Sequence, residues 1–150
     1  MVTRVPICPI SVSVYPVVFR RLFSRNRGPL NSAPASRLKH YTAPNGYHYE
    51  YWYEGHRSYS SRTDSGTEFV FRVSADYKSG PIVAVFLSTG MLQAWEQSHA
   101  REFSATERYA IAKMALFQAF DERAGPAELG DRVLVRAPDL DAIVEKLSIE

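Results

Sequence analysis

Alternating large and polar side chains mark the first predicted strand of the chain. Residues 44–46 (Pro-Asn-Gly) favour a turn, and every second residue from Tyr47 to Tyr53 is then a tyrosine. This period of two is typical of a β-strand. Glu54-Gly55 offers the backbone a position of positive φ, so we expect residues 57–63 to return antiparallel as the second arm of a hairpin.

Two more strands follow in the pattern. Phe69, Phe71 and Val73 lie on one side of an alternating stretch, which predicts a strand with that face in the core. After a break at residues 78–81 (Lys-Ser-Gly-Pro), residues 82–87 are apolar at every position, as in a central strand covered on both faces. Together the four stretches predict an antiparallel β-meander.

Most of the remaining pattern has the period of helices. Residues 91–97 predict a short helix, and residues 104–123 a long one that begins at the capping box formed by Ser104 and Glu107. A short strand over residues 132–136 and a C-terminal helix after Pro138 complete the pattern, with three side chains of that helix expected to face inward: Ala142, Ile143 and Leu147. The predicted fold class is α+β, with an antiparallel β-meander of about four strands followed by two helices, a short strand and a C-terminal helix.

The long helix is apolar around most of its circumference, and one sheet face cannot cover all of it. Either neighbouring helices or a second copy of the chain must enclose the rest. We therefore predict a homo-oligomer that self-associates through Tyr109, Met114, Phe117 and Phe120.

Charge divides the chain into two parts. Residues 1–37 contain six arginines and no acidic residue, whereas residues 38–150 contain twelve basic and sixteen acidic residues. A hydrophobic content of 45% is enough for the core of one domain. We expect a disordered basic leader over residues 1–37 and a single α+β domain over residues 38–150. The acidic balance of this domain disfavours binding to duplex DNA, which needs clustered Lys and Arg.

The leader has two alternative interpretations. Its Arg-rich, acid-free composition is that of an organellar transit peptide, although Pro6, Pro9 and Pro16 oppose the amphipathic helix that such peptides form. The abrupt change of composition also suggests that translation begins near Leu38, so that residues 1–37 are not part of the native product.

Localisation follows from the apolar stretch and the cysteine content. Residues 5–19 are shorter than the roughly 18 residues that a membrane-spanning helix needs, so we predict no membrane span. Cys8 is the only cysteine, which excludes an intramolecular disulfide and a Cys-based zinc site within one chain. Both observations favour a cytoplasmic protein.

Motifs that carry catalysis are absent from the sequence. No serine lies in a G-x-S-x-G elbow, and neither G-x-x-x-x-G-K nor G-x-G-x-x-G occurs. His48 and His56 with Glu50 or Glu54 would provide metal ligands, but their spacing matches no recognised short-range motif. We therefore predict no catalytic residue, no metal and no cofactor.

The most unusual segment is residues 41–66, which holds six of the nine tyrosines. These tyrosines are either core residues with their hydroxyls at the rim or part of a binding surface. The predicted hairpin would place four of them opposite a polar arm, and tyrosines beside serines and arginines are typical of protein-binding surfaces. The predicted binding residues are Tyr47, Tyr49, Tyr51, Trp52, Tyr53, Arg57, Tyr59 and Arg62.

Three functions remain open from the sequence. The first is a non-enzymatic interaction module that binds a protein partner through the Tyr-rich hairpin. The second is a single-stranded nucleic-acid binder, in which aromatic side chains stack on bases and arginines contact phosphates, with Tyr49, Tyr51, Trp52, Arg57 and Arg62 as the contacts. A small enzyme with an unrecognised site is the third.

Overall fold

A computed structural model describes residues 26–33, 37–75, 81–123 and 125–149 of the chain. The predictions for residues 1–25, including the stretch 5–19 and Cys8, lie outside the described residues, as does most of the break at 78–81. The described elements in chain order are β1 (Asn26–Arg27), β2 (Asn31–Ser32), β3 (Lys39–Thr42), β4 (His48–Ser60), β5 (Ser65–Ala75), β6 (Ile82–Ser88), α1 (Thr89–His99), α2 (Ala105–Glu122), α3 (Pro126–Leu129), β7 (Arg132–Leu134) and α4 (Ala137–Leu147).

One mixed sheet joins the described strands. Strands β3, β4, β5 and β6 pair in sequence order and antiparallel, so an antiparallel meander is present. Its strands differ from the predicted ones, because β3 is not among them and β4 covers both the first and the second predicted strand. The short strands β1 and β2 pair with β4 beside β3, and β7 pairs parallel with β6. A parallel neighbour requires a crossover connection, which the helices α1 to α3 provide. The α+β fold class is confirmed.

The predicted turn at Glu54-Gly55 is wrong, because β4 runs without interruption from His48 to Ser60. Its pairing with β5 shifts between Tyr53 and Gly55, which is the signature of a β-bulge. Gly55 has φ of +143°, and a Cβ at this position would collide with the carbonyl oxygen of Asn31 on β2. The positive φ that we read as a turn signal is therefore needed for the bulge and for close approach of β2.

The hairpin of this region joins β4 to β5 instead. Its turn covers residues 61–64, where the N–H of Ser61 donates to the carbonyl oxygen of Asp64 over 2.7 Å. The predicted partners also change: Tyr49 and Tyr51 lie opposite Ala75 and Val73, not opposite the polar arm of a hairpin inside residues 47–63.

The helices pack on one side of the sheet, which we call the first face. Its side chains belong to the central hydrophobic cluster, and they come from alternate positions of the strands: Phe69, Phe71 and Val73 of β5 and Val83, Val85 and Leu87 of β6. The alternate residues, including Glu68, Val70, Ala84 and Phe86, are buried but lie outside that cluster. They form the second face of the sheet.

Helix α2 begins where the sequence predicts. The Ser104 hydroxyl accepts a hydrogen bond from the N–H of Glu107 over 3.1 Å, and the Glu107 carboxylate accepts from the N–H of Ser104 over 2.9 Å. This reciprocal pair satisfies two amides at the start of the helix. Six side chains of the helix are buried by neighbouring elements of the same chain: Ile111, Ala112, Ala115, Leu116, Ala119 and Phe120.

Helix α4 differs from its prediction in one detail. Ile143 is buried and Leu147 packs against the core, but Ala142 is exposed. Leu140 and Val144 take the inward positions with Ile143, at the spacing of three and four residues that places side chains on one side of a helix.

Strands β1 and β2 lie within residues 1–37, for which the sequence predicts a disordered leader. Their residues pair with β4 through Arg27 and Tyr59 and through Ser32 and Gly55. The boundary after residue 37 stays a prediction, but Asn26–Arg27 and Asn31–Ser32 form part of the sheet.

Candidate functional site

Four of the predicted binding residues face the helices. Tyr49 and Tyr51 are 0% and 3% exposed, and the ring of Tyr49 stacks on that of Phe120 with centroids 4.1 Å apart. Tyr47 and Tyr53 are partly buried and pack against the same core. These four tyrosines are therefore mainly core residues.

Three more predicted binding residues lie on the second face, and the bulge is the reason. Before the bulge Trp52 points away from the helices, and after it Arg57 and Tyr59 do so. Without the bulge, only the even-numbered residues of β4 would share a face with Trp52. The extra residue shifts the alternation by one, so Tyr59 lies on the same face as Trp52. The eighth residue, Arg62, lies in the turn between β4 and β5.

Glu68 is the centre of the second face. It lies on β5 opposite Arg57 of β4 and Phe86 of β6, and it is 0% exposed. Its Oε1 accepts two hydrogen bonds, from the Nε of Arg57 over 2.9 Å and from the Nε of Arg27 over 3.0 Å. A buried carboxylate needs such partners, because removal of the charge from water is costly.

Arg132 of β7 completes this group from the other side. Its Nε lies 3.8 Å from Oε2 of Glu68, and its Nη1 donates to the hydroxyl of Tyr59 over 3.1 Å. The guanidinium stands over the rings of Tyr59 and Phe86, at 4.2 and 4.5 Å from their centroids. Cation–π contacts of this length stabilise a guanidinium that has lost part of its water.

We call these six residues the arginine cluster: Arg27, Arg57, Tyr59, Glu68, Phe86 and Arg132. Three guanidinium groups share one carboxylate, so the cluster has an excess of positive charge. The side chains of Arg27, Arg57 and Arg132 are 41%, 24% and 18% exposed. They can therefore contact a molecule outside the chain while Glu68 holds the Nε atoms of Arg27 and Arg57 in place.

A second charged pair lies farther along the same face. The carboxylate of Glu54 accepts from the Nε of Arg72 and from the indole N–H of Trp52, each over 2.9 Å. The guanidinium of Arg72 also lies over the Trp52 ring, 5.8 Å from its centroid. This pair fixes the orientation of Trp52, which is half-buried.

Two large apolar side chains on the second face are exposed. Register places Ile82 beside Arg72 and Leu134 beside Phe86, and these two side chains are 44% and 59% exposed. Exposed apolar side chains beside arginine and tryptophan are more typical of a protein interface than of a solvent-exposed surface.

The predicted self-association residues are placed differently from one another. Phe120 is 0% exposed and belongs to the core, whereas Tyr109, Met114 and Phe117 are partly buried against it. The Phe117 ring stacks on Tyr41 of β3 with centroids 4.4 Å apart. Most of the apolar surface of α2 is thus covered within the chain.

The histidines considered as metal ligands lie apart. Nδ1 of His48 is 2.8 Å from the hydroxyl of Thr42, and Nδ1 of His56, beyond the bulge, is 3.4 Å from the hydroxyl of Tyr53. Across the described ranges, no three His, Cys, Asp or Glu side chains are grouped so that they could hold a metal ion. None of the described helices is long and apolar enough to cross a membrane.

Four residues of the arginine cluster are not among the predicted binding residues: Arg27, Glu68, Phe86 and Arg132. The alternation of β5 assigned Glu68 to the polar side of a half-buried strand, whereas it is buried. The available signal was an acidic residue between Thr67 and Phe69 in a strand of high β-propensity, but its arginine partners come from three other strands.

Comparisons with protein families, with characterised proteins and with solved structures find no match for the chain.

Proposed function

We propose that this chain is a non-enzymatic interaction module that binds an acidic protein segment through the second face of its sheet. The observation that carries this proposal is the arginine cluster, in which three arginines surround one buried carboxylate. The sequence also predicts a protein partner. We now assign its contacts to the arginines and apolar side chains of the second face instead of the tyrosines of β4.

The positive charge of the cluster favours a partner with acidic side chains. Arg27 and Arg57 use their Nε atoms for Glu68, so their terminal amino groups can donate to a further acceptor. A carboxylate accepts two parallel hydrogen bonds from one guanidinium, which makes arginine well suited to bind Asp and Glu side chains. Because the guanidinium groups are oriented before binding, a partner loses less of its binding energy to ordering them.

The apolar residues beside the cluster favour a protein partner over a small anion. Trp52, Ile82 and Leu134 are available for contact on the same face as the arginines. Interfaces concentrate their binding energy in a few Trp, Tyr and Arg side chains that are surrounded by other contacts. We therefore expect a segment in which acidic residues alternate with large apolar ones.

Fluorescence anisotropy tests the proposal with a labelled peptide of alternating Glu and Leu. The double variant Arg27→Gln/Arg57→Gln should weaken binding by about tenfold or more, as expected for loss of charge-assisted contacts. Its matched control is Arg101→Gln/Arg136→Gln, which removes the same charge at residues outside the cluster. Equal losses in both variants, or no binding to the unchanged chain, would contradict the proposal.

Single-stranded nucleic acid is the second candidate, because phosphates would also accept from these guanidinium groups. Of the aromatic residues predicted for base stacking, Tyr49 and Tyr51 are in the core and Trp52 is on the second face. A labelled oligo-dT in the same assay distinguishes the two functions. If it binds more tightly than the peptide and its affinity falls steeply with salt, nucleic-acid binding replaces the proposed function.

Self-association through α2 stays a separate proposal. Its support is now limited to the partly buried Tyr109, Met114 and Phe117. Sedimentation equilibrium of the full chain tests it, with Phe117→Ser as the variant that should dissociate a dimer. A monomer at the highest soluble concentration would contradict it.

A further inference from the structure

A cavity on the first face lies between strands β4 and β5 and the first turn of helix α2. Its volume is about 470 Å³, within the range of pockets that hold small molecules. Four aromatic side chains contribute to its walls: Tyr53, Phe69, Phe103 and Tyr109. Two side chains that can carry positive charge also line it, His56 and Arg108.

The aromatic walls are held in place by the core. The rings of Tyr53 and Tyr109 have centroids 4.8 Å apart, and Phe69 stacks beside Tyr53 at 6.4 Å. Phe103 is 5% exposed and stacks on Trp95 with centroids 4.3 Å apart. A cavity with walls fixed in this way is formed before a ligand binds, and its ring faces and edges suit a flat aromatic group.

Arg108 supplies a permanent positive charge to the wall of this cavity. Its Nη2 lies 3.5 Å from the carboxylate of Glu96, which also accepts the N–H of Phe103 over 2.7 Å. A guanidinium carries five N–H donors in a planar fork, so this group can bind a carboxylate in the cavity as well as Glu96.

The polar groups on the opposite side of the cavity also donate. Burial and the nearby Tyr109 raise the pKa of Tyr53 to about 12, so its hydroxyl keeps its proton at neutral pH. This hydroxyl lies 3.4 Å from Nδ1 of His56. None of the described residues that line the cavity is acidic, which disfavours a cationic ligand.

We propose that this cavity binds a small aromatic carboxylate, with its ring between Tyr53, Phe69 and Tyr109 and its carboxylate on the guanidinium of Arg108. The site is separate from the arginine cluster, because it lies on the other face of the sheet. It is also independent of the proposed protein partner, so either one can be present without the other.

Two-dimensional ¹H–¹⁵N NMR of the full chain tests this proposal, with benzoate and phenylacetate as probes and benzyl alcohol as the neutral control. The carboxylates should shift the amides around Tyr53 and Arg108 and should bind about tenfold or more tightly than the alcohol, because the alcohol lacks the charge-assisted hydrogen bond. Equal binding of the alcohol, shifts confined to another surface, or no shifts would overturn it.

Two variants separate the cavity from a general effect of charge. Arg108→Gln should weaken benzoate binding by about tenfold, whereas Arg136→Gln, which removes a charge outside the cavity, should leave it unchanged. Ala105→Phe places a ring into the cavity from the exposed start of α2 and should abolish binding while the amide spectrum of the folded chain is retained. Benzoate binding that survives both Arg108→Gln and Ala105→Phe would overturn the proposal.

Discussion

The two faces of the sheet bury their side chains by different means. On the first face, Tyr49, Phe71 and Phe120 exclude water by packing against one another and the helices. On the second face, Glu68 is equally buried, but three arginines must neutralise it. Burial alone therefore does not distinguish a core from a site. Apolar packing contributes stability directly, whereas a buried ionic network adds little that an apolar substitute would not.

The largest expected effect is on the first face. Phe120→Ala removes a fully buried ring that stacks on Tyr49, and it should lower the free energy of unfolding by about 4 kcal/mol through lost burial and a cavity. Urea denaturation measures the change. A loss below about 1 kcal/mol would mean that the helices do not pack on this face as described.

Glu68→Gln should have the next largest effect. Replacement of the buried carboxylate leaves three arginines close together without their shared anion, and the expected loss is about 3 kcal/mol in urea denaturation at neutral pH. The control, Glu54→Gln, alters the more exposed pair with Arg72 and should cost less than about 1 kcal/mol. A Glu68→Gln protein as stable as the control would show that the cluster does not form.

Alkaline pH should affect the first face through Tyr53. Because burial raises its pKa in the folded state to about 12, above the ordinary value of 10.0, its contribution to stability is complete below pH 10 and is lost as the pH rises towards 12. Urea denaturation of the unchanged chain and of Tyr53→Phe across pH 8 to 11 measures this contribution. Parallel losses in the two proteins would place the Tyr53 hydroxyl in solvent.

The smallest effect on stability is expected for the exposed apolar residues of the second face. Leu134→Ser and Ile82→Ser should each change the free energy of unfolding by about 0.5 kcal/mol or less, since both side chains are already largely in water. Each should nevertheless weaken binding of the Glu-Leu peptide. Unchanged peptide affinity would remove these residues from the proposed interface.

The local signals of the sequence predict much of the fold. The capping box at Ser104 places the start of α2, and the alternation of Phe69, Phe71 and Val73 identifies the first face of β5. Both depend on residues close together in the chain. The strand Lys39–Thr42 has no apolar period, so its place beside β4 could be found only from pairing.

The candidate site was harder to predict because it depends on distant residues. Glu54-Gly55 has the composition of a two-residue turn, but contact with β2 makes it a bulge, and the face of Tyr59 depends on that choice. The sequence pattern indicates that Glu68 faces solvent. Its contacts with Arg27 and Arg132, which are distant in the chain, are visible only in the structure. Trp52, Arg57 and Tyr59 were selected from the sequence, but for a surface that also included the core residues Tyr49 and Tyr51.

The most direct test of the central claim is NMR mapping of the Glu-Leu peptide on the full chain. The side-chain N–H signals of Arg27, Arg57 and Trp52 report on the second face, and the amides near Tyr53 and Tyr109 report on the first. We predict that the peptide shifts the second-face signals and that the Arg27→Gln/Arg57→Gln variant loses these shifts. Shifts confined to the first face, or none at saturating peptide, would contradict the assignment of the second face as the binding surface.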